Sequence, residues 1–331
     1  MSHNATIIKN LKVLRDQEKV NKQPFKVRAY NIAIRSIESF GGEIKKAEDV
    51  KGLDGVGAKI YQKIEEIIAN GHLDRTKDVL EENDERHVAL KQLQDVMEIG
   101  PAKAKELYES HGIKSIEQLM QNQHLLNDKQ RMGLKYYDEF LKRIPRKEME
   151  KHNDFIIQAV HDIDPDMHCV LAGSFRRGRP DSGDIDVLLC HKSGKYDTGS
   201  FKRVVALLQE KKYLTDLFAN GDKKCMAAGK LPRFKTHRRV DLLYTDQTTF
   251  PFALLYFTGS QQFNVKMREH CLKQGYSLNE YGLKYVKGDD KNKKVDKVFL
   301  DETEIFDYVG LEYVTPVDRE KGEITLLLGE C

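Results

Sequence analysis

The sequence predicts a multidomain chain: an all-α N-terminal half, then an α+β half that closes in a mixed α/β segment. Three observations predict it. Apolar residues recur at helical spacing from residue 5 to about 145. A short glycine-turn motif occurs twice within that stretch. After Pro145, compact apolar runs bounded by turn residues alternate with helical ones.

Ile7, Ile8, Leu11 and Leu14 fall on one face of a first helix. Ile32, Ala33, Ser36, Ile37 and Phe40 do the same on a second, which Gly41-Gly42 stops. Leu53-Asp54-Gly55-Val56-Gly57-Ala58-Lys59-Ile60 and Met97-Glu98-Ile99-Gly100-Pro101-Ala102-Lys103-Ala104 each run from a glycine turn straight into an amphipathic helix. At such a turn the unpaired N–H groups and the helix dipole both favour an anion, and Lys59 and Lys63 add charge. An ordinary turn between packed helices is the bland alternative. Duplication with trailing lysines favours a helix-hairpin-helix, which grips a nucleic-acid strand by its backbone without reading bases. Glu98 stands where Gly55 does in the first copy, so the second copy is expected to differ in its turn or in its affinity.

Beyond Pro145, residues 151–163 continue as a helix. Cys169-Val170-Leu171-Ala172, Ile185–Cys190 and Arg239–Tyr244 read as buried strands, with a helix at Val204–Leu208 between them. Residues 252–274 are helical around a Thr258-Gly259-Ser260 break, and a Lys/Asp-rich loop follows at 287–297.

Composition narrows the class. The 331 residues carry 55 Lys+Arg and 52 Asp+Glu, a formal charge of +3. Residues 1–80 and 151–250 are each +4, while 81–150 and 251–331 are −2 and −3, so the first and third segments are the ones able to face a polyanion. No apolar run approaches the roughly 18 residues of a membrane span. Five cysteines, odd in number and in no CxxC pair, fit a reducing compartment without structural zinc. The N-terminus has no signal-peptide apolar core.

The most informative stretch is Gly173-Ser174-Phe175-Arg176-Arg177-Gly178-Arg179-Pro180-Asp181-Ser182-Gly183-Asp184-Ile185-Asp186. Asp184 and Asp186, two apart on an expected strand, face the same way. Carboxylates that close repel unless a cation sits between them. Asp241, between Val240 and Leu242, is a third strand carboxylate. Three carboxylates on neighbouring strands suit a two-metal phosphoryl-transfer site with Mg²⁺ ions roughly 3.5–4 Å apart. Gly173-Ser174 and Arg177 supply a small turn, a hydroxyl and a guanidinium for phosphate oxygens.

With these motifs in hand, the chain resembles DNA polymerase family X over nearly its whole length. The resemblance rests on LDGVGAKIYQKI, QRMGLKYYDEFLKRIPRKEM, AGSFRRGRPDSGDIDVLL, HRRVDLL, YFTGSQQFN, YSLNEYGLK and EIFDY. It implies a helical deoxyribose-phosphate lyase domain at 1–80 and a helical thumb-like DNA-binding subdomain at 81–145, with a helix-hairpin-helix in each. It further implies an α+β nucleotidyltransferase palm at 146–247 and a mixed α/β fingers subdomain at 248–331 (thumb and fingers exchange names in some accounts).

Site residues follow from the same resemblance. It gives Asp184, Asp186 and Asp241 to two Mg²⁺ ions, and Arg143, Ser174, Arg177, Ser182 and Gly183 to the incoming nucleotide's phosphates. Tyr256, Phe257 and Gly259 form the turn against sugar and base, with a cis bond between Gly259 and Ser260, and disfavour a ribose 2′-hydroxyl. Asn264 and Arg268 reach the nascent pair and template. Lys63 is the Schiff-base nucleophile, with Lys26, Tyr30, Lys59 and Arg75 as phosphate and catalytic partners. Gly55, Gly57, Gly100 and Arg239 meet DNA. Backbone carbonyls of Lys51, Leu53, Val56, Gln94, Val96 and Ile99 would hold a monovalent cation, Na⁺ or K⁺.

The expected partners are gapped or nicked double-stranded DNA and deoxynucleoside triphosphates, without a membrane. The chain is expected to be a monomer in the nucleus, with mitochondrial and viral-factory or cytoplasmic sites as alternatives. The chemistry implied for Lys63 is reasonable, because a cation one helical turn away, Lys59, favours its neutral amine. This chain departs from the family pattern at Gln261, Leu243 and Phe25, which replace an aspartate, an arginine and a histidine, and it has a shorter palm and an added tail at 324–331. Two rival readings are a template-independent terminal transferase of the same family, which the short palm disfavours, and a non-catalytic binder of gapped DNA, which the three aspartates disfavour.

Overall fold

A computed structural model describes residues 3–192 and 197–327. The end of the C-terminal tail, with Leu328 and Cys331, lies outside the described residues. The chain divides into two compact units, residues 1–94 with 99–125, and 95–98 with 126–331.

The first unit is helical. Helices α1 (His3–Val20), α2 (Pro24–Glu38) and α3 (Ala58–Asn70) enclose a core of Ile7, Leu11, Leu14, Ala33, Ile34, Ile37, Ile60, Ile64 and Ile67. Helices α4 (Asp74–Gln94), α5 (Pro101–His111) and α6 (Ile116–Gln121) follow. Two expectations change here. Ile32 is exposed, because the buried stripe of α2 is Tyr30, Ala33, Ile34 and Ile37. Helix is also not continuous to 145: residues 39–57 hold only the 3₁₀ turn Ala47–Val50, and Ile144–Pro145 is a short strand.

Both glycine turns cap their helices alike. Gly57 precedes α3 with φ −78° and ψ 173°, and Gly100 precedes α5 with φ −83° and ψ 176°. Two residues earlier, Gly55 has φ 81° and Glu98 has φ 70°, so of the two differences expected the turn conformation is not one, both being left-handed. Within these two turns glycine is required only at Gly55, where an added Cβ would lie 2.5 Å from the Ala33 nitrogen. Gly55→Ala should therefore destabilise the chain by about 2 kcal/mol or more. Gly57→Ala, with nothing within 4 Å and an ordinary φ, should change stability by less than about 1 kcal/mol. Thermal unfolding of the two variants checks the pair.

The second unit begins with α7 (Asp128–Lys135), α8 (Tyr137–Phe140), β1 (Ile144–Pro145) and α9 (Arg146–Ile163). Then come β2 (Met167–Leu171), α10 (Gly173–Arg176), β3 (Asp181–Ser182), β4 (Ile185–His191), α11 (Thr198–Glu210), β5 (Leu214–Asn220), β6 (Lys224–Gly229) and β7 (Arg238–Thr245). Five of these strands form one sheet in the order β2-β4-β7-β6-β5, with β4 and β7 parallel and the other pairs antiparallel. One face buries Ile185, Val187, Val240 and Leu242 with Ile156 and Val160 of α9 and Val204 and Leu208 of α11. The β5–β6 hairpin has no counterpart in the sequence reading. Met226, Ala227 and Ala228 carry too little β-branched or aromatic character to announce a strand.

The C-terminal part packs α12 (Phe250–Thr258), α13 (Gln261–Lys273), β8 (Tyr276–Asn279), β9 (Gly282–Tyr285) and α14 (Glu302–Tyr308) around Phe252, Phe263, Met267, Ile305 and Phe306. The break between α12 and α13 falls at Gly259-Ser260, whose peptide bond is cis. Of the expected divisions, 80/81 lies inside α4, 145/146 at the start of α9, and 247/248 in the loop before α12.

Candidate active site

Strand register brings two acids together. In the parallel pair β4–β7, Ile185 lies opposite Val240 and Asp186 opposite Asp241. Because side chains alternate, the apolar neighbours of both aspartates enter the core and the two carboxylates share the other face. Burial, and then the Asp241 charge, push the Asp186 carboxyl up to about 7. Burial raises Asp241 as well, against Arg239 and Lys224, which favour its charged form. One Asp241 oxygen, Oδ1, is buried without a hydrogen-bond partner among the described residues.

Asp184 corrects the expectation of two acids on one strand. It lies in the bend ahead of β4, where its carboxylate pairs with Arg239. Asp184 and Asp186 line a cleft of about 670 Å³ with Arg143, Ser174, Arg177, Gly183, Tyr256, Phe257, Gly259, Asn264 and Arg268. Asp241 opens instead into a hollow of about 30 Å³, together with Asp186, Lys224, Leu243 and Phe257. Asp186 belongs to both walls.

Local folding explains the remaining placements. α10 opens at Gly173, φ 57°, where an added Cβ would stand 2.6 Å from Asp186 Oδ2; only glycine lets the turn approach that carboxylate. Ser174 Oγ donates to Ser182 Oγ at 2.9 Å. Pairing of β1 with β3 sets Arg143 beside Gly183, and the Arg143 Nη2 donates to Asp181 Oδ1 at 2.6 Å. Arg177 Nη1 donates to the Thr258 carbonyl at 2.6 Å, tying α10 to the end of α12. Tyr256 and Phe257 meet edge to face at 5.0 Å, Asn264 Nδ2 donates to the Tyr256 carbonyl at 2.8 Å, and the Arg268 guanidinium lies 4.9 Å over the Tyr256 ring. The sequence reading missed Lys224, Arg179 and Glu320. Lys224 sits on a strand it did not see. Glu320 is brought to the cleft by tertiary folding alone.

A second cluster lies within the first unit. Lys63, half-buried on α3, donates to the Lys59 carbonyl at 3.0 Å. Burial lowers its pKa, Arg75 and Lys59 lower it further, and Glu66 and Glu18 oppose them. Lys26 pairs with Glu18 at 3.1 Å. Burial raises the Tyr30 phenol against the influence of Arg75. The buried Glu18, which the sequence reading did not single out, pairs with Lys26, and its charge and that of Arg75 act in opposite directions on both Tyr30 and Lys63.

Lys51, Leu53 and Val56 lie in the loop before α3, whereas Gln94 ends α4 and Val96 and Ile99 precede α5. The Leu53 carbonyl already accepts from the Val56 N–H at 3.0 Å. At the other end of β4 from Asp186, the ligand atoms of Asp164, Asp166 and His191 come within 4.8 Å of one another, a grouping that no motif announced.

Four family models match the chain: a helix-hairpin-helix domain over residues 2–73, the fingers domain of DNA polymerase lambda over 91–141, the DNA polymerase beta palm over 143–247 and the DNA polymerase beta thumb over 253–320. Fingers and thumb therefore carry the reverse of the labels used in the sequence reading. The chain is 31% identical over 330 residues to DNA polymerase lambda of Rattus norvegicus, covering 96% of this chain and 56% of that protein. It is 27% identical over 306 residues to DNA polymerase lambda of Arabidopsis thaliana, covering 88% and 57%. The chain thus spans a little over half the length of these curated relatives. With hairpin, fingers, palm and thumb models matched in that order along its sequence, the chain belongs to the family X DNA polymerases.

Proposed function

We propose that the chain is a gap-filling DNA polymerase of base excision repair that also removes 5′-deoxyribose phosphate through a lysine Schiff base. The observation that carries the polymerase reading is the β4–β7 register, which sets Asp186 against Asp241 beside a cleft walled by Arg143, Arg177 and Arg179. The donor set fits divalent cations: Asp241 Oδ1 is buried and unpartnered, and Asp186 is held against a like charge. Asp184, Asp186 and Asp241 would hold Mg²⁺, which supplies charge neutralisation and a lowered pKa for a primer 3′-hydroxyl.

The chain's own residues do the rest. Arg143, Ser174, Arg177, Ser182 and the backbone at Gly183 bind and orient the nucleotide's phosphates. Tyr256 and Phe257 line the cleft where sugar and base would pack and would disfavour a 2′-hydroxyl. Asn264 and Arg268 sit where the nascent pair would lie. In the first unit, Lys63 supplies an amine whose pKa is lowered by burial and neighbouring cations, and Lys26, Lys59 and Arg75 supply phosphate-binding charge. The hairpins at Gly55-Gly57 and Gly100 offer N–H groups to a phosphate backbone.

Primer extension on gapped DNA, with and without a template strand, tests the reading. Extension should require template, Mg²⁺ and a deoxynucleotide. Template-free addition would favour a terminal transferase, and binding without extension a non-catalytic gap binder. Affinity for gapped DNA should also fall with salt, log K dropping by about 0.9 per neutralised phosphate against log salt concentration. Lys59→Ala with Arg75→Ala should flatten that slope by about one unit or more, measured by fluorescence anisotropy. An unchanged slope would remove those residues from the DNA contact.

A further inference from the structure

We propose that Glu320 is a built-in competitor for the phosphate-binding arginines, occupying Arg177 and Arg179 until a polyphosphate displaces it. The inference rests on reading the cleft as a nucleotide site. Its basis is the ion pairing of the cleft wall. Arg143 pairs with Asp181 at 2.6 Å, Arg268 faces Glu280 at 3.9 Å, and Arg177 and Arg179 share the single carboxylate of Glu320. Of these acids, Glu320 alone is among the described residues that line the cleft.

How Glu320 arrives there matters. It sits on the 3₁₀ turn Asp318–Lys321, whose Arg319 is fully buried, bonded to Glu302 Oε1 at 2.7 Å and to the Val314 carbonyl at 2.9 Å. Ser260 Oγ donates to the Arg319 carbonyl at 2.9 Å. Glu302 also takes Arg176 at 2.7 Å. Consecutive arginines, Arg176 and Arg177, therefore clasp two different glutamates of the C-terminal segment. The Glu302 side chain is 5% exposed, so that clasp is fixed, whereas Glu320 is 30% exposed and reachable by a solute.

A triphosphate offers several charged oxygens to the same guanidiniums. Carboxylate and phosphate cannot both sit on Arg177 without placing like charges together. With the turn pinned at Arg319, release requires only rotation of the Glu320 side chain. Glu320 therefore lowers the cleft's affinity for phosphate and leaves its arginines neutralised when no nucleotide is bound.

The test is titration of the whole 331-residue chain, as parent, Glu320→Gln and Glu320→Ala, with inorganic tripolyphosphate, a deoxynucleoside triphosphate and an unphosphorylated deoxynucleoside. Both variants should bind the two polyphosphates about threefold to tenfold more tightly, the range for releasing a partly exposed ion pair. Nucleoside affinity should not move, and in primer extension the change should appear in KM rather than kcat. Unchanged or weaker polyphosphate binding in both variants, with a parent that binds and extends normally, would overturn the inference and make Glu320 a residue that orients Arg177. A parent that neither binds triphosphate nor extends primers would overturn the nucleotide-site reading itself, and this inference with it.

Discussion

Asp241→Asn is expected to lower templated nucleotide addition by about a thousandfold or more, while the protein stays folded and still binds gapped DNA. The substitution keeps the shape of the side chain and removes its charge. Asp241 stands opposite Asp186 across β4–β7, and its Oδ1 has no hydrogen-bond partner among the described residues. A buried acid without a partner is a stability liability, accepted here beside a second acid. Neutralising it removes a like-charge repulsion, so Asp241→Asn should melt no lower than the parent in buffer free of divalent ions. Lost activity with retained or raised stability is the signature expected of a cation ligand, and a misfolded variant would not show it. Steady-state extension on gapped DNA and calorimetry, run on the same preparation, check both halves. Activity within tenfold of the parent would remove Asp241 from the metal-binding role.

The sequence carried this site further than it carried the fold around it. Asp186 and Asp241 were legible because each interrupts an apolar strand, and a charge kept there needs a chemical reason. Asp184 was legible as a residue but not as a position: pairing it with Asp186 on one strand needs the strand to reach back to Asp184, whereas β4 starts at Ile185. Lys224 was invisible because β6 shows no alternation: Cys225, Ala227, Ala228 and Gly229 are all buried. Glu320 could not be found at all, because its meeting with Arg177 spans 143 positions and depends on the packing of the C-terminal segment. In the first unit, Ile32 was misplaced by one step of helix phase. Tyr30, with a polar hydroxyl, hides the stripe that actually faces the core. Local periodicity thus located helices and acids, whereas arginine partners and the second hairpin's left-handed Glu98 are consequences of tertiary structure.

Lys63→Ala is expected to lose nearly all borohydride-trapped adduct on an incised abasic site, about twentyfold or more, while templated extension stays within twofold to threefold of the parent. The reaction needs an uncharged amine. An ordinary lysine, with a pKa of about 10.4, is almost wholly protonated at neutral pH. Around Lys63, burial lowers that value first, and the Arg75 and Lys59 charges lower it further. Its nitrogen can then attack C1′ of the open sugar and expel water as the imine forms. The imine acidifies the C2′ proton, and its loss expels the phosphate by β-elimination without any metal. Trapping should therefore persist in EDTA, which stops extension. It should rise with pH and level off below the range of an unperturbed lysine. Arg75→Met removes the largest neighbouring charge that depresses the amine, so its trapping profile should move to higher pH. That shift separates an effect on the nucleophile from a loss of DNA binding, which would lower trapping equally at every pH. Undiminished trapping in Lys63→Ala would assign the chemistry to another amine, with Lys59, one helical turn away, and Lys26, paired with Glu18, as the first to test.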